Sequence, residues 1–332
     1  MQSYSLRVEG AQTVLAMGDV PTPTPGPGQV LLRMHAAGLN RGEFIPGGLV
    51  KAGASKPAGI EGAGEVVALG DGVTTLKVGE RVMGRCPGAF SEFAVMDVRE
   101  AIRVPPALAM ESAAAVPLTF LVVHDMLVAQ GRLRAGEWLL VTGVSSGVGV
   151  AAMQTARALG AKVIGTSGSA EKLEKLKALG LDVPLQTRAP DFAAAVLQAT
   201  DGRGVNLVVN TVGGSVFAEC IRCMAFEGRL ATVGYVDNTL KAELDIQALH
   251  AKRLTLFGVS NKLRSAEQRA AGVPAFVADL LPAIADGRIR PLLDRVFPFA
   301  ELPAARAHME ANAHLGKIVL RIAPQQQMSE TP

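Results

Sequence analysis

The sequence predicts an α/β protein in which an irregular, mostly-β unit is followed by a doubly wound parallel sheet. The first ~120 residues contain short apolar runs separated by glycines and prolines, which is typical of strands joined by tight turns. Beyond them, apolar strand patterns alternate with helical patterns, as in a sheet built from strand-helix-strand units. With 332 residues, 49% of them hydrophobic, the chain is long enough for two domains.

Local patterns predict the elements in order. In the run 30–36, Val30, Leu32 and Met34 share one strand face, which leaves His35 on the opposite, solvent side. In the second part, strands are predicted over 138–142, 162–166, 207–210 and 230–234, and helices over 148–159, 170–179 and 216–224. After residue 262 the pattern predicts a helical stretch, a helix over 303–313, a strand over 317–322 and a polar, disordered tail from Pro324.

The apolar run 254–259 predicts a further strand near the edge of the sheet. An unpaired edge of this composition invites the addition of another strand, so we expect it to be the pairing surface of a homodimer. The alternative is that the run is covered within its own chain.

Charge and composition exclude several classes of protein. The formal net charge is only +3 and is spread without long basic runs, which argues against nucleic-acid binding. No uninterrupted apolar stretch is long enough for a membrane span, and the first ten residues lack the pattern of a signal peptide. Three cysteines do not make a disulfide framework. We therefore expect a soluble, cytoplasmic protein.

The densest motif is the glycine-rich segment 139–149, in which an apolar strand enters a turn and then a helix. Its Gly143-Val144-Ser145-Ser146-Gly147 matches the G-x-S-x-G turn of a nucleophilic serine, but a hydrolase sheet would need several strands before it. The spacing also fits a short-chain dehydrogenase, which needs a Tyr-x-x-x-Lys pair that neither tyrosine of this chain supplies. Dinucleotide binding at the helix N-terminus is favoured, with a packing turn that holds no ligand as the alternative.

The next strand-helix turn indicates which dinucleotide is bound. NAD enzymes place an acid about 20 residues past the first glycine, whereas this chain has Gly165-Thr166-Ser167-Gly168-Ser169-Ala170-Glu171-Lys172. The hydroxyls of Ser167 and Ser169 with the ammonium of Lys172 would suit a 2′-phosphate, so NADPH is favoured over NADH. The alternative is that Ser169 only caps the helix.

Nearly the whole chain resembles the zinc-independent quinone oxidoreductases, the zeta-crystallin-like branch of the medium-chain dehydrogenase/reductase superfamily. The resemblance is carried by motifs in matching order: segments 37–43, 59–66 and 79–82, then Gly136-Glu137, the glycine loop with Gln154 behind it, Val212-Gly213-Gly214, and 316–320. It implies a GroES-like catalytic domain of residues 1–121 and 263–332 around a Rossmann NADPH-binding domain of residues 122–262.

The resemblance also implies a set of cofactor-binding residues. They are Ser145, Ser146, Gly147, Val148, Ser167, Gly168, Ser169, Lys172, Arg188, Val212, Gly234, Tyr235, Phe257, Val259 and Lys317. It places Asn40 near the nicotinamide ribose, where it would orient the cofactor, although an Asn that simply ends a strand is the alternative. Glu43 lies where relatives have an acid.

Metal binding is not expected. The positions at which alcohol dehydrogenases carry zinc ligands are here Asn40, Ile60 and Leu118, which cannot hold the metal. Cys86 stands alone where relatives have a four-cysteine lobe, and the C-x-x-C of Cys220 and Cys223 lies in a predicted helix, where a buried face is favoured over redox chemistry. The scattered histidines at 124, 250, 308 and 314 are likewise expected to be structural.

Some positions depart from the family pattern. Ser146 replaces a loop glycine, Thr187 replaces a tyrosine beside the adenosine phosphate, which leaves Arg188 as the nearer candidate, and Val122 replaces a cofactor-facing threonine. Phe44 and the flexible Pro46-Gly47-Gly48 stand where some quinone pockets have tyrosines.

The resemblance implies NADPH-dependent hydride transfer to a quinone or a related conjugated carbonyl, whose developing charge delocalises without a metal. The alternatives are an enone or 2-enoyl thioester reductase on the same fold and a non-catalytic NADPH-binding protein.

Overall fold

The computed structural model describes residues 1–9, 12–45 and 55–322, and the chain divides into two compact units. One comprises Met1–Leu118 together with the chain from Leu293, and the other is Thr119–Leu292. The second boundary lies later than the sequence suggested, because the helices between Ala266 and Ala285 group with the second unit. The segment Pro46-Gly47-Gly48 and the tail from Pro324 lie outside the described residues.

The first unit is mostly strand. Its strands are β1 (Gln2–Glu9), β2 (Gln12–Asp19), β3 (Gln29–Gly38), β4 (Ser55–Pro57), β5 (Glu61–Leu69), β6 (Arg81–Arg85), β7 (Phe93–Asp97), β8 (Ala101–Arg103), β15 (Leu293–Pro298) and β16 (Lys317–Arg321). Its helices are α1 (Met110–Ala114) and α11 (Leu302–Glu310), with short 3-10 turns at Arg41–Glu43, Val98–Glu100 and Phe299–Glu301; α2 (Pro117–His124) spans the boundary.

Both parts of the chain that form this unit contribute strands to one sheet. The sheet has the order β15-β16-β3-β5-β6-β8, β7 pairs with β3, and a smaller sheet has the order β2-β1-β4. The last strand, β16, runs antiparallel to β3. Val30, Leu32 and Met34 point into the core as predicted, but His35 is half-buried rather than on a solvated face, and burial together with Arg33 lowers its pKa.

The second unit is a doubly wound sheet. Its strands are β9 (Trp138–Thr142), β10 (Lys162–Ser167), β11 (Val183–Gln186), β12 (Val205–Asn210), β13 (Met224–Thr232) and β14 (Thr255–Gly258). Its helices are α3 (Gly147–Ala158), α4 (Ala170–Ala178), α5 (Ala193–Ala199), α6 (Phe217–Arg222), α7 (Ile246–Ala251), α8 (Ala266–Ala270), α9 (Val273–Asp279) and α10 (Leu281–Ala285), with a π-helical turn at Asp125–Ala129 and a 3-10 turn at Gly214–Val216.

All neighbouring strands of this sheet run parallel in the order β11-β10-β9-β12-β13-β14. This is the order of two mononucleotide-binding halves that meet between β9 and β12, where ligands bind at the carboxyl ends of the strands. The predicted α/β fold class is confirmed. The run at 254–259 does form an edge strand, β14.

Two smaller expectations concern cysteines and membranes. Cys220 and Cys223 lie at the end of α6 with no exposed surface, and burial raises the pKa of both thiols, which keeps them unreactive.

Among the described residues, no helix has the length and apolar character that crossing a membrane requires.

Candidate functional site

The turn after β9 depends on glycines at two close-packed positions. Gly143 has a φ of +69°, and a Cβ there would lie 2.6 Å from the Thr211 hydroxyl oxygen. A Cβ on Gly149 would lie 2.6 Å from the Gly143 carbonyl oxygen, so glycine is required where α3 packs on the strand. The Ser146 hydroxyl caps α3 by accepting a hydrogen bond from the Gly149 N–H at 3.1 Å. The first turn of a 12-residue helix is thus presented directly at the end of the strand.

This geometry distinguishes the chemistries that the motif allows. A helix N-terminus with exposed N–H groups after a glycine turn favours the phosphate groups of a dinucleotide. The Ser145 hydroxyl lies 3.2 Å from the Ser167 hydroxyl, which is not a base that could activate it as a nucleophile. The turn is therefore suited to anion binding rather than acyl transfer.

The turn after β10 gathers hydroxyl groups and one arginine. The Ser167 hydroxyl accepts from the Ser169 N–H at 3.3 Å, and the Ser169 hydroxyl accepts from the Lys172 N–H at 3.3 Å. Ser169 does cap α4, but its own O–H stays available as a donor. A Cβ on Gly168 would lie 2.0 Å from Arg188 Nε, so the Arg188 side chain lies directly over this glycine. An exposed guanidinium and two hydroxyls suit a phosphate at the end of β10.

The other half of the sheet supplies two facing loops. Val212 and Gly213 follow β12, Gly234 and Tyr235 follow β13, and Phe257 and Val259 lie at the end of β14. Because the strands are parallel, these residues lie on the same side of the sheet as the glycine turn, at the carboxyl ends of the strands. Tyr235 is 58% exposed although large and apolar, which leaves its ring free to meet a ligand.

Asn210, at the end of β12, holds the first of these loops. Its Oδ1 accepts from the Val212 N–H at 3.1 Å and the Gly213 N–H at 3.0 Å, and its Nδ2 donates to the Gly213 carbonyl at 2.9 Å. The Thr142 hydroxyl donates to the same Oδ1 at 3.1 Å. The side chain is 1% exposed, so the loop is anchored from inside the sheet.

Asn40 lies in the first unit, within a buried polar cluster that we call the Asn40 cluster: Asn40, Glu43, Glu61 and Lys317. Asn40 Nδ2 donates to Glu43 Oε1 at 2.9 Å and to Glu61 Oε1 at 2.8 Å. Lys317 Nζ donates to Asn40 Oδ1 and to Glu61 Oε1, each at 2.6 Å. The Leu118 N–H donates to Glu61 Oε2 at 2.8 Å. Carboxyl oxygens on one side and an ammonium on the other fix the amide orientation of Asn40.

Glu43 is 1% exposed, and burial raises its pKa to about 8, so at neutral pH it is a neutral acid. The cluster then contains one carboxylate, Glu61, against one ammonium, Lys317, and is neutral overall. Among the described residues, no hydrogen-bond partner meets Glu43 Oε2.

The residues at the zinc-ligand positions do not fit a zinc ion. The Asn40 Oδ1, the atom that would ligate a metal, accepts from the Lys317 ammonium at 2.6 Å, Ile60 is aliphatic, and Leu118 contributes only a backbone N–H to Glu61. Over residues 1–9, 12–45 and 55–322, no group of three or more His, Cys, Asp or Glu side chains could hold a metal ion.

The structure brings the predicted residues together in two sets. The residues from Ser145 to Val259 lie at the carboxyl ends of the parallel strands, whereas Asn40 and Lys317 lie in the other unit. Two of the residues described above had no predicted role: Asn210 and Glu61. Asn210 carried a signal, because a polar residue ends an apolar strand there.

A mostly-β unit joined to a doubly wound sheet with an anion-binding glycine turn defines a class of two-domain dinucleotide-binding proteins. The profile of the alcohol dehydrogenase GroES-like domain matches residues 26–106, and that of the zinc-binding dehydrogenases matches residues 147–272. The synaptic vesicle membrane protein VAT-1 homolog of Rattus norvegicus is 30% identical over 92% of this chain and 80% of its own length. The chain belongs to the medium-chain dehydrogenase/reductase superfamily, an oxidoreductase family, as its motifs predicted.

Other relatives are much longer. A phenolphthiocerol/phthiocerol polyketide synthase of Mycobacterium tuberculosis is 32% identical over 94% of this chain, which spans only 14% of that protein.

Solved structures agree with the family assignment. The mycobacterial protein Rv1454c complexed with NADPH has a TM-score of 0.87 and 29% identity, covering 97% of this chain and all (100%) of that one. A quinone oxidoreductase of Pseudomonas syringae pv. tomato (28% identity) and the CurK enoyl reductase (25% identity) each have a TM-score of 0.82 with the same coverages.

Proposed function

We propose that this protein is an NADPH-dependent reductase that transfers hydride to a quinone or a related conjugated carbonyl, acting without zinc. The turn after β10 carries the proposal: Ser167, Ser169 and Arg188 offer donors where NAD enzymes place an acid. The likeness to a mycobacterial protein complexed with NADPH supports the same cofactor.

The residues of the second unit would hold the cofactor at the carboxyl ends of the parallel strands. The N–H groups at the start of α3 would bind its pyrophosphate, Arg188 with the two serines its 2′-phosphate, and Val212 and Tyr235 its nicotinamide half. Bound NADPH would supply a hydride from its C4, and the acceptor would take that hydride and one proton. An acceptor with a conjugated carbonyl spreads the developing charge, which needs only a hydrogen-bond donor or water.

Asn40, in the first unit, would orient a bound ligand. Both of its amide hydrogens are committed to Glu43 and Glu61, so its remaining capacity is the second lone pair of Oδ1. We therefore propose that Asn40 and Lys317 act on a bound ligand. Asn40 Oδ1 would accept a hydrogen bond from a hydroxyl group of that ligand.

The second candidate is an enone or 2-enoyl thioester reductase. Likeness to the CurK enoyl reductase and to segments of polyketide synthases favours it. A turnover panel separates the two candidates: 1,4-benzoquinone, a simple enone and a 2-enoyl thioester are each offered with NADPH. The first proposal expects the highest kcat/KM with the quinone, and a preference for the thioester would replace it. NADPH binding without turnover of any acceptor would favour a non-catalytic binding protein.

We also propose a homodimer paired through β14, because this edge strand carries the half-buried Leu256 and Phe257 and, among the described residues, pairs only with β13. The three free cysteines fit a reducing compartment such as the cytoplasm.

A further inference from the structure

Asp237 lies in the loop after β13 and binds the loop after β12. Its Oδ2 accepts from the Ser215 N–H at 2.9 Å, and its Oδ1 accepts from the Thr239 N–H of its own loop at 2.8 Å. Its backbone N–H donates to the Val212 carbonyl at 3.0 Å. One residue thus joins the two loops by both its side chain and its backbone.

Gly213 shows how closely the two loops are matched at this point. It has a φ of +130°, and a Cβ there would lie 2.1 Å from Asp237 Oδ1. The Gly214 N–H donates to the Thr239 carbonyl at 2.9 Å, which makes a further link between the loops. The carboxylate therefore occupies the space that any side chain at Gly213 would need.

The charge of Asp237 suits this role. Burial raises its pKa, but the hydrogen bonds from Ser215 and Thr239 outweigh burial and hold the pKa below its ordinary value. The group is an anion at neutral pH and accepts from two donors on two separate segments. An amide in its place would turn an N–H₂ group toward one of those donors.

The two loops carry Val212 and Tyr235 at the carboxyl ends of β12 and β13. These strands belong to the half of the sheet that holds the nicotinamide part of a dinucleotide. We propose that Asp237 is a positioning residue that sets the spacing of these two loops and thereby the placement of the nicotinamide ring. This inference rests on the proposed function for its ligand. The adenosine half, held by the turn after β10, does not depend on it.

The test compares Asp237→Asn with Asp245→Asn in the full-length protein. Asp245 is an exposed residue at the far end of the loop after β13, where it caps α7, so its substitution removes the same charge without touching the contacts between the two loops. Affinity is measured for NADPH and for 2′-phospho-ADP-ribose, which lacks the nicotinamide. We expect Asp237→Asn to weaken NADPH binding about tenfold, which corresponds to the loss of one charge-assisted hydrogen bond. The affinity for the fragment, 2′-phospho-ADP-ribose, should be unchanged. Asp245→Asn should match the wild type for both ligands.

Turnover gives a second readout. With a quinone acceptor, Asp237→Asn should lower kcat about tenfold or more and raise the isotope effect with NADPH deuterated at the transferred position, because a misplaced ring slows hydride transfer itself. Equal loss of NADPH and fragment affinity would mean a merely structural role and would overturn the inference, as would kinetics identical to those of Asp245→Asn. If Asp237→Asn does not fold, Asp237→Ser, whose hydroxyl reaches one donor, is judged by the same criteria.

Failure of the proposed function leaves a different signature. A wild type that binds NADPH but reduces no acceptor would refute the reductase, while the comparison of NADPH with its fragment would still decide the role of Asp237. A wild type that binds neither ligand would refute both.

Discussion

Arg188 and Gly168 meet at the end of β10, and each depends on the other. The guanidinium can lie there only because residue 168 has no side chain, since a Cβ would be 2.0 Å from Arg188 Nε. The family's tyrosine is absent at the neighbouring Thr187, whose hydroxyl instead donates to Asp191 at 2.7 Å. Arg188 is thus the residue on which we expect selection of the 2′-phosphate to depend.

Arg188→Ala should raise the Kd for NADPH by about tenfold or more and leave the Kd for NADH unchanged, because only the phosphate loses a charged partner. Binding titrations with both cofactors measure it. Arg203→Ala is the matched control, since Arg203 is an exposed arginine that pairs with Asp201 before β12. Parallel changes for both cofactors would show that Arg188 does not read the phosphate.

Glu43 makes stability depend on pH. Its pKa is raised from 4.5 to about 8 by burial, so the folded protein binds one more proton than the unfolded chain between these values. Its contribution is fully present below pH 4.5 and is lost as the pH rises through about 8. The free energy of unfolding should therefore fall by about 1.4 kcal/mol for each pH unit in that window.

Glu43→Gln should remove this slope, because the amide mimics the neutral acid and does not titrate. Urea denaturation at several pH values measures it, with the exposed Glu174→Gln as the control that keeps the slope. A slope that persists in Glu43→Gln would assign the titration to another group.

The strands and helices differ in how well the sequence predicts them. Strand β9 was predicted at its observed bounds because four of its residues are buried in a continuous apolar run. Strand β11 and helix α5 were not predicted. No residue of β11 is fully buried and its run contains Pro184, while α5 buries only Ala193 and Val196 and lacks a side-chain cap. Elements at the edge of a sheet bury too little to impose a clear periodicity.

Strand β16 joins the end of the chain to the first sheet, where Leu320 has no exposed surface and pairs with Ala37. Leu320→Ala should lower the free energy of unfolding by about 2–5 kcal/mol, through lost burial and the cavity left behind. Leu263→Ala is the control, because Leu263 is 95% exposed and its truncation should change little. Urea denaturation compares the two, and an equal, small effect of both would contradict the packing of β16.

At the scale of the whole molecule, the glycine turn and the turn after β10 could be predicted, because each motif is local in sequence. The contacts of Asp237 and of the Asn40 cluster could not. Asp237 meets Ser215 only because β12 and β13 are neighbours, and Lys317 meets Asn40 only because β16 pairs with β3. Such contacts depend on strand order and register, which no local pattern contains.

We propose that the protein is an NADPH-dependent, metal-free reductase of conjugated carbonyl acceptors. Oxidation of NADPH and NADH, followed optically with and without 1,4-benzoquinone and a simple enone in the presence of EDTA, tests it most directly. The proposed function predicts consumption of NADPH but not NADH, dependent on acceptor and unaffected by EDTA. Loss of activity with EDTA, equal use of NADH, or no consumption of either cofactor would contradict the claim.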